Sequence, residues 1–102
     1  MKYMNDEKIV LIARLKVKNE MVEQAKKAAL DLVPPSRAEK GCVNYDVHQA
    51  IDDETVFIWH ETWENKLALD EHFETIAFKN FFAKVSELAA EPSQMTLTKM
   101  IS

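Results

Sequence analysis

The stretch VFIWHETWENKLALDEHF, residues 56–73, holds both tryptophans of the chain, two of its three histidines and three glutamates. Three of these residues have types suited to chemistry. Glu61 lies between aromatic residues, where loss of water raises a carboxyl pKa and makes it a candidate base or hydrogen-bond anchor. His72 is a natural proton acceptor near neutral pH. Trp63 is a large flat surface that could wall a pocket. Each also has an ordinary reading. Glu61 can pair across a sheet or an interface, Trp63 can fill a core, and His72 can cap a helix or face water.

Other chemistries lack their residues. His48, His60 and His72 stand 12 apart with no HxH or HExxH spacing, and HETWE lacks the second histidine of a zinc helix. Cys42 is the sole cysteine, which excludes an intrachain disulfide and fits a reducing compartment. Gly41 is the only glycine, so a glycine-rich phosphate or dinucleotide loop is excluded. No metal cluster and no flavin or nicotinamide bound by a familiar motif is therefore expected, and any oxidation would draw its reactivity from the substrate.

The positions of these residues depend on the elements that carry them. IVLIARLKVK (9–18) reads as a strand with a buried first half. Asn19 is placed to cap a helix running through Val33, with Met21, Ala25, Ala28, Ala29 and Leu32 as its apolar stripe. Pro34 and Pro35 should stop or re-aim that helix. SRAEKG then makes a short turn of helix, closed by Gly41 as a left-handed cap. CVNYDVHQA and VFIWHETW pair as an antiparallel hairpin around IDDET. Asn65 caps a short helix, NKLALDEHF. Thr75 caps a longer one, IAFKNFFAKVSEL, whose stripe is Phe78, Phe81, Phe82, Val85 and Leu88. QMTLTKMI (94–101) alternates as a fourth strand.

The order β-α-β-β-α-β is that of an α+β, ferredoxin-like domain: a four-stranded antiparallel sheet with helices on one face. Residues 1–102 form a single domain, with 1–8 as a flexible extension. Alternation along the third strand puts Phe57, Trp59, Glu61 and Trp63 on one face and Ile58, His60 and Thr62 on the other. Along the second it puts Val43, Tyr45, Val47 and Gln49 opposite Cys42, Asn44, Asp46 and His48. His60 reads as a satisfied core or edge residue and His48 as exposed or structural. The face not covered by helices must meet water, a ligand or another subunit. Tyr45, Trp59 and Trp63 are assigned to it, as the surface of a sheet-to-sheet homodimer.

Two segments carry a family likeness. PSRAEKGCVNYDVHQ (35–49) contains a Ser-Arg-x-Glu-x-Gly-Cys turn, matched by Ser36, Arg37, Glu39, Gly41 and Cys42, with Tyr45 following. ETWENKLALDEHFET (61–75) contains Glu-x-Trp, a helix ending in histidine, and Thr-x-x-Phe, matched by Glu61, Trp63, His72, Thr75 and Phe78. From Ile9 to about Ile101 the chain resembles the antibiotic biosynthesis monooxygenase (ABM) domain family, which includes small quinol monooxygenases.

The resemblance implies a homodimeric α+β barrel with a pocket between sheet and helices in each subunit. It also implies oxidation of a phenolic or quinol-type aromatic by dioxygen, with no metal or flavin. His72, Glu61 and Trp63 become the expected catalytic residues. Phe73, Phe78, Phe82, Tyr45 and Arg14 become the expected substrate pocket. Two departures stand out. Many relatives carry a histidine where this chain has Ala77. The asparagine on the first strand and the histidine in the last helix that haem-degrading members use are both missing. Other readings of the same fold are a non-catalytic small-molecule-binding or stress-associated protein, and an isomerase of a small phosphorylated signalling sugar. An anion-binding arginine in a polar pocket would favour the isomerase.

A net charge of -4 without a basic block argues against nucleic acid as a partner. The N-terminal segment has no apolar core of a signal peptide, and no run of apolar residues is long enough to span a membrane. The expected location is the cytoplasm.

Overall fold

The computed structural model describes residues 7–102. The expected flexible extension falls, for residues 1–6, outside the described residues. The chain runs β1 (Ile9–Lys16), a 3-10 turn (Asn19–Met21), α1 (Val22–Asp31), α2 (Val33–Arg37), β2 (Cys42–Gln49), β3 (Val56–Trp63), α3 (Lys66–Phe73), α4 (Ile76–Leu88) and β4 (Gln94–Thr98). The strands form one antiparallel sheet in the order β2-β3-β1-β4. This is the ferredoxin-like arrangement, with the helices on one face.

Register explains the core. Ile9, Leu11, Ala13 and Leu15 of β1 lie opposite Trp63, Glu61, Trp59 and Phe57 of β3. Residues directly opposite share a face, and this is the face the helices cover. Ala25 and Ala29 of α1 are buried with Val22 and Leu32. Tyr45, Trp59 and Trp63 are also buried here, at 1%, 5% and 0% exposure. These three aromatics therefore cannot form the surface of a sheet-to-sheet dimer. Their large side chains serve the packing under α3 and α4, with Trp59 against Phe81 at 5.7 Å between ring centroids. The open face instead carries Val10, Ile12, Arg14, Ile58, His60, Thr62, Thr96 and Thr98, by their pairing.

Several local expectations change. Asn19 does not cap α1. It sits in the 3-10 turn, and α1 starts at Val22 without a side-chain cap. The helix does break ahead of Pro34 and Pro35: α1 ends at Asp31, and both prolines lie within the first turn of a separate α2 that starts at Val33, where the missing N–H of proline removes no helical hydrogen bond. Gly41 has no positive φ. Its requirement is contact: a Cβ there would collide with the Cβ of Ala68 on α3. The expected caps of the last two helices are present. Asn65 Oδ1 accepts from the Ala68 N–H at 2.8 Å, and Thr75 Oγ1 accepts from the Phe78 N–H at 3.2 Å.

β2 departs from simple alternation. Cys42 pairs with Trp63 but Asn44 pairs with Thr62, so Val43 is the extra residue of a bulge. The bulge moves Cys42 onto the face of Tyr45, Val47 and Gln49, and leaves Val43 half exposed. β4 ends at Thr98, short of the expected Ile101, and Met100 and Ile101 are exposed.

Candidate active site

An open cleft with a cavity of about 50 Å³ lies between the covered sheet face and the last two helices. Its floor is Leu11, Ala13, Tyr45, Trp59 and Glu61 from the sheet. Its roof is Phe73 from α3 with Phe78, Phe81, Phe82 and Val85 from α4. The start of β4 supplies the rim with Ser93, Gln94 and Met95. Phe82 is 56% exposed at this mouth and stacks on Phe78, with centroids 5.7 Å apart and planes 16° apart. It is therefore a rim residue of α4 and not part of a buried stripe.

Glu61 is the deep polar group of the cleft. Strand alternation places it on the covered face, directly opposite Tyr45 on β2 and Leu11 on β1. It is 5% exposed and accepts a hydrogen bond from the Trp63 indole N–H at 3.0 Å. Burial pushes its carboxyl from the ordinary 4.5 up to about 7. The Trp63 hydrogen bond works against that rise, and the negative charge of Glu39 adds to it. The result is a carboxyl that exchanges its proton near neutral pH inside an aromatic cleft. Burial, followed by the charge of Glu61, drives the Tyr45 phenol well above its usual range, so it remains protonated. Cys42, on the same face, is raised to about 11, first by burial and then by Glu39 and Glu61. It is a thiol, not a thiolate, at neutral pH.

Trp63 and His72 do not line the cleft. They form the layer behind it. His72 is 1% exposed, and its ring lies 4.5 Å from that of Trp63, 5.2 Å from Phe78, 5.7 Å from Tyr45 and 5.8 Å from Phe73. Its Nδ1 is 2.8 Å from Oε2 of Glu39. Arg14 borders the cleft, but its guanidinium donates to Glu91 at 3.0 Å. His60 and His48 are exposed on the open face, where the side-chain amide nitrogen of Asn44 is 3.0 Å from His60 Nδ1. Among the described residues, no group of three or more His, Cys, Asp and Glu side chains is arranged to hold a metal ion.

Parity along β3 placed Glu61 correctly, and helix periodicity in α4 placed Phe78. Trp59, Phe81 and Val85 also line the cleft, yet the sequence reading gave them to the interface or the core. Period alone cannot separate a core position from a pocket wall. The partnership of Glu39 with His72 had no local signal, because the two are separated by 33 residues.

Comparison with known proteins agrees with this architecture. The family model described as antibiotic biosynthesis monooxygenase (ABM) matches residues 8–84. YcnE of Bacillus subtilis, named "Putative monooxygenase YcnE", is 38% identical over 90% of this chain and 97% of its own length. The protein sll1783 of Synechocystis is 33% identical over 93% of this chain, which spans 65% of that longer protein. The solved structure of Rv0793 from Mycobacterium tuberculosis superposes with a TM-score of 0.90 at 26% identity, covering 94% of this chain and 97% of that one. On the family match and these relatives, the chain belongs to the antibiotic biosynthesis monooxygenase family.

Proposed function

We propose that this protein is a monooxygenase that oxidises a phenolic or quinol-type small aromatic with dioxygen, using neither metal nor flavin. One observation carries the reading: Glu61, raised to about 7, stands in a cleft otherwise built of flat aromatic and aliphatic side chains. The substrate ring would lie against the aromatic lining of Tyr45, Trp59, Phe73, Phe78 and Phe82. These walls exclude water and orient the ring. Glu61 accepts the phenolic proton, and Trp63 holds the carboxylate in place through Oε1.

The resulting anion is electron-rich enough to give one electron to dioxygen. The radical pair combines into a carbon–oxygen bond, and the peroxide loses water to leave a carbonyl. In sum, the substrate loses two hydrogens (one from a ring carbon and one from the phenol, or both from a methylene carbon) and gains one oxygen of dioxygen, while the other oxygen leaves as water. The family membership and the names of the relatives support the reaction class.

The cleft also weighs between readings. An isomerase of a phosphorylated sugar needs a free cation in a polar pocket. Here the lining is apolar, and Arg14 is already paired with Glu91. His72 takes a supporting place behind Tyr45 and Phe78, and Glu61 becomes the base.

The test is oxygen uptake by purified, chelator-treated protein over a panel of quinols and anthrones. Uptake above the buffer rate, lost in Glu61→Gln, is expected. No uptake with any of them would overturn the reading. We infer in addition that the protein works as a homodimer. A second copy would pack on the open sheet face of Ile12, Ile58 and Thr62, not on the tryptophans.

A further inference from the structure

The Glu39–His72 pair has no part in the cleft wall, yet it joins a fully buried ring to the protein surface. His72 is 1% exposed, while the Glu39 side chain is 20% exposed. Glu39 stands in the turn between α2 and β2. Its position is set by a local hydrogen bond from its N–H to Ser36 O at 3.1 Å and from the Cys42 N–H to its own carbonyl at 3.1 Å. The imidazole is held on its faces and edges by Trp63, Tyr45, Phe73 and Phe78, so it cannot turn freely. The hydrogen bond at 2.8 Å between Nδ1 and a carboxylate oxygen requires the proton on Nδ1, because an ionised carboxylate only accepts. A free histidine has no such constraint, and the partner of one ring nitrogen sets which nitrogen is protonated.

We propose that Glu39 is a positioning residue: it holds the neutral His72 ring as the Nδ1–H form, with Nε2 directed away from Glu39 as the bare nitrogen. This deepens the proposed function, because three of the rings around His72 (Tyr45, Phe73 and Phe78) are also walls of the cleft. The pair then fixes the orientation of the ring that backs these three walls, one layer behind Glu61. The ionisable groups in contact with the ring are Glu39 from the turn and Tyr45 from β2. α4 contributes only Phe78, which does not titrate.

The experiment is nitrogen NMR on the uniformly 15N-labelled, full-length protein without substrate, following the two ring nitrogens of His72 between about pH 5 and pH 9. Wherever the ring is neutral, the proton is expected on Nδ1, with the bare signature at Nε2. Glu39→Ala should release the constraint, and the Nε2–H form should appear at high pH. Three results would each overturn the proposal. One is an Nε2–H ring in the native protein. Another is a ring doubly protonated over the whole range, as in a purely structural ion pair. The third is a Glu39→Ala protein with the native pattern. Should that variant not fold, Glu39→Met, which fills the same space without a charge, makes the same comparison, and the native titration stands without either. No arm depends on turnover, so failure of the oxygen-uptake test and failure of this one are separable.

Discussion

Trp63 and Glu61, two residues apart on β3, share one face of the sheet, and the indole N–H of the first donates to Oε1 of the second at 3.0 Å. The bond joins the buried tryptophan to the acid in the cleft. It lowers the Glu61 pKa against the larger effect of burial. Trp63→Phe removes the donor and keeps an aromatic ring. The Glu61 carboxyl should then titrate above its native value of about 7. The limb of the pH–rate profile set by Glu61 should move to higher pH, as measured by oxygen uptake. Stability should fall by about 1–3 kcal/mol through the unpaired acceptor and the smaller side chain.

Glu61 also makes stability depend on pH. Its folded pKa, about 7, lies above the ordinary 4.5. Below the ordinary value the group is protonated in both states, and its burial carries no charge penalty. As pH rises from there to the folded pKa, the unfolded state ionises first and stability is lost. The loss levels off above about pH 7 at roughly 3 kcal/mol. Glu61→Gln should abolish this slope, so that the variant is more stable than the native protein at about pH 8 and close to it at about pH 5. Urea unfolding at the two pH values measures it. Asp53 has a lowered pKa and acts only at the acid end, below its ordinary 3.8, outside this window.

Gly41→Ala should destabilise the fold by about 1–3 kcal/mol, because the added methyl meets Ala68 on α3. The cost is one of contact and not of backbone, since φ at Gly41 is not positive. The double variant Gly41→Ala, Ala68→Gly should regain part of the loss, offset by about 1 kcal/mol for glycine in a helix. Thermal unfolding of the two variants and the native protein decides it.

Ile58→Lys tests the homodimer. The side chain is half-buried on the open face. Placing a charge there should dissociate a dimer built on that face while leaving the fold of each chain intact. Sedimentation of the native protein should show two chains together at micromolar concentration and the variant should show one. A native protein that sediments as a monomer would remove the dimer from the account.

The element order was legible in the sequence because hydrophobic period and caps agree. Asn65 and Thr75 announce their helices, and the alternation in VFIWHETW correctly places Glu61 on one face with Trp59 and Trp63. What that alternation cannot say is which face the helices will cover. Aromatic bulk suggested an interface, whereas the helices take the same face and bury it. The bulge at Val43 had no composition signal, so Cys42 was put on the wrong side. Gly41 was read as a backbone requirement because a lone glycine after a helix usually is one. Its real constraint comes from Ala68, 27 residues later, and no local pattern reports a close approach of that kind. The same distance problem hid Glu39 from His72.

The bulge at Val43 has a consequence for how the sheet meets other chains. β2 is an edge strand, and an edge with a regular row of free backbone groups can recruit a foreign strand and seed aggregation. Here the row is broken by the extra residue at Val43. A few residues on, the Tyr45 carbonyl is already occupied by Arg37 Nε at 3.0 Å, and Arg37 is itself anchored by Asp46. The edge that carries the cleft's tyrosine is thus interrupted at Val43 and at Tyr45, two breaks in the row a foreign strand would pair with.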